Sequence, residues 1–496
     1  MRRILELSAS VLRTGEAKSA YDSKGGAWDG AVGLNPFISD DDYRFLLATT
    51  KAPIRRGESQ ITDVPIAFAR DPRVGEGENG YILGLGAGEG RFYKVNTAGE
   101  VTVVRPQATL TTLANPTGGM ASIIDSAGNP FLFLATYQGL VRWNFNTADS
   151  ASHWNVGNNA LNNAARYPFH RLFDSVYFGN GHQLGRIPLD AVHDQATAFS
   201  NIDFDAVKIG YNTEQITSLG DDGRYLIIAT SYRSSFDDND TPQARLLWYS
   251  GVGSNWEWET SISGERGIRA IIKNALGVFA IGEQSIYQIA FGQQPKLLRT
   301  FSTSDAIFFG DYLANAVGQA TNLAAPFGDS MIFGRRGAVF GKRYPTEPVT
   351  FSHPLQGHTG DISLIIPDFK RGTVFVGTGD NKLWEYDMSL AGNAPTAEYR
   401  TRWFDLKDKY DIKAVEVELP KGLGASDVQA LTVEVPSGAF KTQVIRQSTI
   451  DAKDRFFANL NISPELTGSK VRFTLTQTAG SPALGAIYLY GSAASK

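Results

Sequence analysis

The chain has 496 residues, of which 42% are apolar and 20% charged, with a net charge of -4 and no cysteine. That length calls for two or three domains or a closed repeat architecture, and the lack of cysteine excludes disulfides, thiolate metal sites and a cysteine nucleophile. The small net charge excludes an overall electrostatic pull toward nucleic acid, though not a local basic ring in an assembly.

From the N-terminus, Met1-Arg2-Arg3-Ile4-Leu5-Glu6-Leu7 starts basic, but Glu6 breaks the apolar run, so the segment does not read as a signal peptide. No stretch approaches the roughly 18 apolar residues of a membrane span. Residues 1–50 hold no copy of the repeat described below. Asp22 to Asp42, rich in Gly, Asp and Ser, reads as extended chain around Val32-Gly33-Leu34-Asn35-Pro36-Phe37. Two readings stay open: an arm that wraps a neighbouring subunit, or the strand that closes a ring by joining its last repeat.

Beyond residue 50, short alternating runs separated by Gly, Asn, Asp and Pro clusters predict many short strands. Three apolar residues followed by Gly or Ala recur seven times. The blocks are Tyr81-Ile82-Leu83-Gly84, Leu132-Phe133-Leu134-Ala135, Val176-Tyr177-Phe178-Gly179, Leu226-Ile227-Ile228-Ala229, Phe279-Ala280-Ile281-Gly282, Met331-Ile332-Phe333-Gly334 and Val374-Phe375-Val376-Gly377. An aromatic-rich strand follows most of them, as in Leu140-Val141-Arg142-Trp143 and Leu383-Trp384-Glu385-Tyr386. A period of roughly 43–53 residues matches four strands and their turns. These features predict a seven-bladed β-propeller over 51–395, its small residues making room where inner strands converge on an axis. Only 155–166 and 311–325 have a composition that admits a short helix.

The seventh repeat carries the most defined motif. Gly357-His358-Thr359-Gly360-Asp361 leads to Leu383-Trp384-Glu385-Tyr386-Asp387, which resembles a WD40 blade, with two residues inserted between Trp384 and Asp387. In that pattern His358 makes a blade-stabilising hydrogen bond. The repeat stops near 396, with the boundary expected within Ser389–Ala397. Alternating strands such as Ala414-Val415-Glu416-Val417-Glu418-Leu419 then predict a C-terminal β-sandwich over 396–496, with Val415, Val417 and Leu419 inward and Glu416 and Glu418 outward. The whole chain is thus expected to be all-β, in three parts.

Candidate chemistry is sparse. Gly84-Leu85-Gly86-Ala87-Gly88-Glu89-Gly90 misses dinucleotide-binding spacing, because Glu89 stands where the third glycine belongs. The six histidines show no metalloprotease pairing, and Asp237-Asp238-Asn239-Asp240 lacks EF-hand spacing and reads as a solvated loop. No cofactor, metal site or catalytic set is expected, although carboxylates converging on the axis, as glycosidases need, are not excluded by sequence. Arg335-Arg336 and Lys342-Arg343 flank one hairpin and are candidate DNA or subunit contacts. Trp248, Trp256 and Trp258 are candidate sugar-stacking residues, the last two expected on one strand face, with core packing as the plainer reading.

The degenerate repeats from Tyr81 to Asp387, followed by Trp403-Phe404-Asp405-Leu406 and Ala414-Val415-Glu416-Val417, resemble the tail nozzle, or packaged-DNA-stabilisation, proteins of short-tailed bacteriophages. The resemblance implies a non-enzymatic virion protein assembled in the host cytoplasm as a ring, a hexamer being favoured. Its partners would be other tail proteins (a portal adaptor, a fibre or spike) and transiently double-stranded DNA, retained and then ejected through the ring. A carbohydrate- or receptor-binding propeller is the alternative, and a propeller hydrolase a more remote one.

Overall fold

The computed structural model describes residues 2–7, 28–32, 54–55, 65–73, 81–85, 92–95, 101–105, 116–136, 139–145, 154–156, 161, 167–193, 199–210, 214–231, 243–282, 285–300, 323–327, 330–335, 338–342, 350–351, 362–368, 373–379, 382–387, 397–401, 403–418, 428–446, 457–479 and 486–494. Among these residues every regular element is a strand. The protein is all-β. Residues 155–156 and 324–325 are in strands where the sequence admitted helix; the rest of those stretches lies almost wholly outside the described residues.

Two compact units divide the chain. A multi-sheet unit comprises Ile54–Gly337 and Gly357–Glu385, and a two-sheet unit comprises Met1–Pro53, Ala338–Gln356 and Tyr386–Lys496. In chain order, β1 (Arg2–Leu7) and β2 (Trp28–Val32) belong to the two-sheet unit, and β3 (Ile54–Arg55) opens the other. Five four-stranded antiparallel sheets follow, each a meander of consecutive strands. The first holds β4 (Pro65–Arg70), β5 (Tyr81–Leu85), β6 (Phe92–Val95) and β7 (Val101–Arg105). The second holds β8 (Pro116–Ile124), β9 (Pro130–Thr136), β10 (Gly139–Trp143) and β11 (Trp154–Val156). The third holds β12 (Phe169–Leu172), β13 (Ser175–Asn180), β14 (Gln183–Pro188) and β15 (Asp203–Lys208). The fourth holds β16 (Gln215–Asp221), β17 (Leu226–Ser231), β18 (Gln243–Tyr249) and β19 (Trp258–Ser263). The fifth holds β20 (Ile268–Asn274), β21 (Gly277–Gly282), β22 (Ser285–Ile289) and β23 (Lys296–Thr300).

The strands β24 (Ala324–Phe327) and β25 (Ser330–Arg335) make an antiparallel hairpin in the same unit. By contrast, β26 (Ala338–Lys342) and β27 (Thr350–Phe351) fall in the two-sheet unit. A further four-stranded sheet contains β28 (Ile362–Asp368), β29 (Thr373–Thr378) and β30 (Lys382–Asp387), and its fourth strand is β3. Ile54 pairs with Glu385 and Arg55 with Trp384, so a strand from before the first sheet completes the last one. First strands touch in sequence: β4 meets β8, β8 meets β12, β12 meets β16, β16 meets β20, β20 meets β24, β24 meets β28, and β28 meets β4.

Each apolar block read from the sequence lies on the second strand of its sheet, from β5 to β29. Where their side chains are described, these strands are interior on both faces. Ser175–Asn180 and Leu226–Ser231 are buried at every position, which is why their sequences are runs rather than alternations. Ile123, Phe133, Val176, Phe178 and Ile187 form one core between the second and third sheets. Leu184, Ile209, Ile216, Ile228 and Leu247 form the next. The small residue closing each block was expected to relieve crowding between inner strands; at Gly179 and Gly334 it makes room instead between the second strand of one sheet and the first strand of the next, whereas a Cβ on Gly282 would meet Glu265. A Cβ on Gly179 would lie 2.9 Å from Ile216 Cγ2, on the first strand of the next sheet, and Gly334 meets Ile362 in the same way.

The two-sheet unit is completed by β31 (Ala397–Thr401), β32 (Phe404–Glu418), β33 (Val428–Glu434), β34 (Phe440–Arg446), β35 (Phe457–Ala479) and β36 (Ala486–Ala493). One sheet runs β1-β36-β32-β35. The long β35 then serves the other sheet, where Arg472–Ala479 pair with β33 and β31, and β34 pairs with β33. Both sheets close over one core that includes Leu7, Phe404, Ile412, Val415, Val417, Leu431, Val433, Ile445, Val471, Phe473, Ile487 and Leu489. Val415 and Val417 point inward between the less buried Glu416 and Glu418, while Leu419 lies outside the described residues.

Chain organisation differs from a simple arm, repeat and C-terminal domain. The N-terminal strand β1 lies along β36, and β2, within the glycine-rich segment, pairs antiparallel with β31 and parallel with β27. Residues 1–53 therefore belong with the C-terminal strands, and the boundary expected near 396 falls at 386. The strand that joins the last sheet is β3, just past residue 50 and outside the segment for which a ring-closing role was one of the open readings. Residues 22–27 and 33–42, the rest of the suggested arm, lie outside the described residues.

Candidate functional site

The tryptophans singled out from sequence are divided between the two faces of the fourth sheet, and the basic residues are described only by the strands they end. Arg335 ends β25 and Lys342 ends β26 in separate units, while Arg336 and Arg343 lie outside the described residues. Trp248 is fully buried, facing the core shared by the fourth and fifth sheets, and is closed to any sugar. Trp258 is its cross-strand partner and packs against the same core; neither indole N–H finds an acceptor. Trp256 packs instead against the core on the opposite face of that sheet and donates to Glu259 Oε2 at 3.1 Å. Strand β19 starts only at Trp258, so the period-2 argument that put both tryptophans on one face does not reach Trp256. The loop 237–240 lies outside the described residues, as do His153, His353 and His358 and most of the glycine run. Trp384 nevertheless donates from its indole to Thr378 Oγ1 at 3.2 Å, tying β30 to β29.

A polar constellation forms where the first strands end. His170 on β12, Asp221 at the end of β16 and Lys273 on β20 come from three successive sheets. Asp221 Oδ2 lies 2.8 Å from His170 Nε2, and Lys273 Nζ donates to Asp221 Oδ1 at 2.7 Å. Burial pushes the Asp221 carboxyl up, but the hydrogen bonds and charges of His170 and Lys273 outweigh it and hold the group well below the ordinary carboxylate range. One strand series further back, Ser122 on β8 donates its hydroxyl to the Arg70 carbonyl on β4.

Beside this chain of contacts is a cavity of about 530 Å³. Its walls are the ends of β4, β8 and β12, and its floor includes Ala69 and Met120. Arg70, Asp71, Ser122, Phe169, His170 and Arg171 supply most of its chemistry. Asp71 is buried and engaged by Arg73, whose guanidinium donates to both carboxylate oxygens at 2.9 and 2.6 Å. Arg70 and Arg171 are exposed and make no salt bridge with a described residue. Among the described residues, no group of three His, Asp or Glu side chains converges as a metal-binding set.

Two further networks are structural. Asp125 caps the β8–β9 turn: its Oδ1 accepts from the Ala127 and Asn129 amides and its Oδ2 from the His193 amide. Burial pushes the His193 imidazole pKa down, although a 2.7 Å contact to the Pro188 carbonyl opposes that shift. In the fourth sheet, Arg245 Nε and one terminal nitrogen donate to the two oxygens of buried Glu214 at 2.7 and 2.5 Å. Thr230 donates to Glu214 at 2.6 Å, and Arg245 also reaches Glu259 and the Ile209 carbonyl. Burial works against the Arg245 charge, but the bonds to Glu214 and Glu259 prevail and keep it protonated.

His170, Asp221 and Lys273 were not found from sequence, yet they are 51 and 52 positions apart, as are Arg70 and Ser122 at 52. Those intervals lie within the repeat period. Aligning the repeats on their apolar blocks would have placed His170, Asp221 and Lys273 together, 6, 5 and 6 residues before their blocks, but not Arg70 and Ser122, which stand 11 and 10 residues before theirs.

No protein-family model matches the chain, and no curated protein matches it. Among solved structures, a chain of the crystal structure of the mitotic checkpoint complex is similar, with a TM-score of 0.43 and 10% identity over 71% of this chain and 98% of that one. No helix among the described residues is long and apolar enough to cross a membrane.

Proposed function

We propose that the multi-sheet unit is a seven-bladed β-propeller, that the two-sheet unit is a β-sandwich, and that the protein is a structural, ring-forming component of a tailed-phage virion of the nozzle type. Support for seven blades comes from the circuit of first-strand contacts that returns from β28 to β4, with β3 completing the last sheet. The carboxylate Asp221 is engaged by both His170 and Lys273, as suits a scaffold better than an acid–base pair.

The observation that carries the assembly reading is the outer strand β34. Among the described residues it pairs only with β33, and it exposes Phe440 by 61% and Val444 by 44%. An unpaired strand edge with apolar side chains is an association surface, and a second copy of the chain is the occupant that a ring requires. Partners at the ring's faces would be other tail proteins, and DNA would pass through the assembly without strong attraction. Light scattering with negative-stain imaging tests this. Rings of about five to seven copies, lost in the Phe440→Lys/Val444→Lys variant, are expected. A wild-type chain that stays monomeric at high concentration and with its tail partners present would refute it.

A further inference from the structure

We propose that the cavity at the ends of β4, β8 and β12 is a binding site for a small dianionic oxyanion, carrying phosphate or paired carboxylate groups. This stands independently of the virion reading. The argument starts from charge. Asp71 and Arg73 neutralise one another at the cavity wall, and Asp221 neutralises Lys273 beside His170. Subtracting those pairs leaves Arg70 and Arg171, two cations on one concave surface with no salt bridge to a described residue. Asp125, the other acid close in sequence to this wall, is occupied by three backbone amides.

Guanidinium groups present a planar fork of donors that matches an oxyanion in bidentate fashion. They sit on ends of strands, whose positions the sheets fix, and come from two different sheets, so each can approach the ligand from its own side. Between them, Met120 and Ala69 give an apolar floor, and Phe169 is held in place by stacking on Phe178 at a centroid distance of 5.6 Å. About 530 Å³ accommodates a ligand larger than a bare ion. Two unpaired like charges in one concavity repel, and a dianion relieves that repulsion while engaging both forks.

The test is calorimetric titration of the full chain with inorganic phosphate and with citrate, at matched ionic strength set with chloride. Arg70→Gln/Arg171→Gln is compared with Lys208→Gln, a charge control on the outer strand β15. Thermal melts establish that both variants fold. Saturable binding of one anion per chain is expected, weakened at least about tenfold by the double substitution and unchanged by the control. Preference for phosphate or for citrate identifies the ligand's anionic group. An absence of saturable binding by either anion, or an equal loss in the Lys208→Gln control, would overturn the proposal.

Discussion

Replacing Arg245 with Met probes how far one buried ion pair holds the fourth sheet together. Glu214 is 1% exposed and loses two charged hydrogen bonds in this variant, keeping only the one from Thr230. Removing one partner of a buried pair costs about 3–5 kcal/mol, because the remaining charge stays desolvated. The Glu259 contact is 36% exposed on the carboxylate side and contributes little. The cost therefore belongs near the lower end, at about 3 kcal/mol. The assay is amide hydrogen exchange read by mass spectrometry over Gln243–Tyr249, where that loss corresponds to exchange about a hundredfold faster. Adding Glu214→Gln removes the stranded charge, so the double variant should recover about 2 kcal/mol relative to the summed single effects. If the two effects add within about 0.5 kcal/mol, the pair is not coupled and the reasoning fails.

Gly179→Val would drive methyl groups into Ile216 and Pro168; a loss of about 1–3 kcal/mol in urea unfolding is expected, and a neutral result would mean that neighbouring sheets are not in the close contact described. Asp221→Asn tests the contacts with His170 and Lys273 through pH. The carboxyl is held below its ordinary value, so its contribution is present above about pH 4 and is lost as pH falls further. The variant should be about 1 kcal/mol less stable at pH 7, a figure kept small because Lys273 is half-exposed. That deficit should shrink below about pH 4 in parallel melts; one that grows on acidification would contradict the assigned direction.

The repeat was legible because second strands are buried on both faces and must be apolar throughout, as Leu226-Ile227-Ile228-Ala229 is. First strands were not. In β12, Phe169 joins the core toward the second sheet, Leu172 joins the core toward the fourth, and His170 reaches Asp221. Such a strand serves three environments in four residues and leaves no periodic trace. Alternation did reveal β32 and the inward valines, since that strand has one buried face. It could not reveal that β1 and β2 pair with strands from the far end of the chain, because pairing partners leave no local mark in a sequence. The single face expected for Trp256 and Trp258 does not hold for a related reason: Trp256 sits just outside the strand whose alternation was used to orient it, while Trp248 and Trp258 pack in a core as the plainer reading had it.

The pairing of β3 with β30 sets a schedule for biosynthesis. Ile54 leaves the ribosome roughly 330 residues before its partner Glu385, so the last sheet stays one strand short for most of translation. Through most of that interval β3 is a loose end and β4 has no β28 to meet. The intermediate sheets can form in order as they emerge, but the unit becomes a single cooperative body only at the last step. A chain cut short before β30 loses more than its final strands: it leaves β3 at the other end without its partner, and so it reads as incomplete to any quality control that senses exposed strand edges.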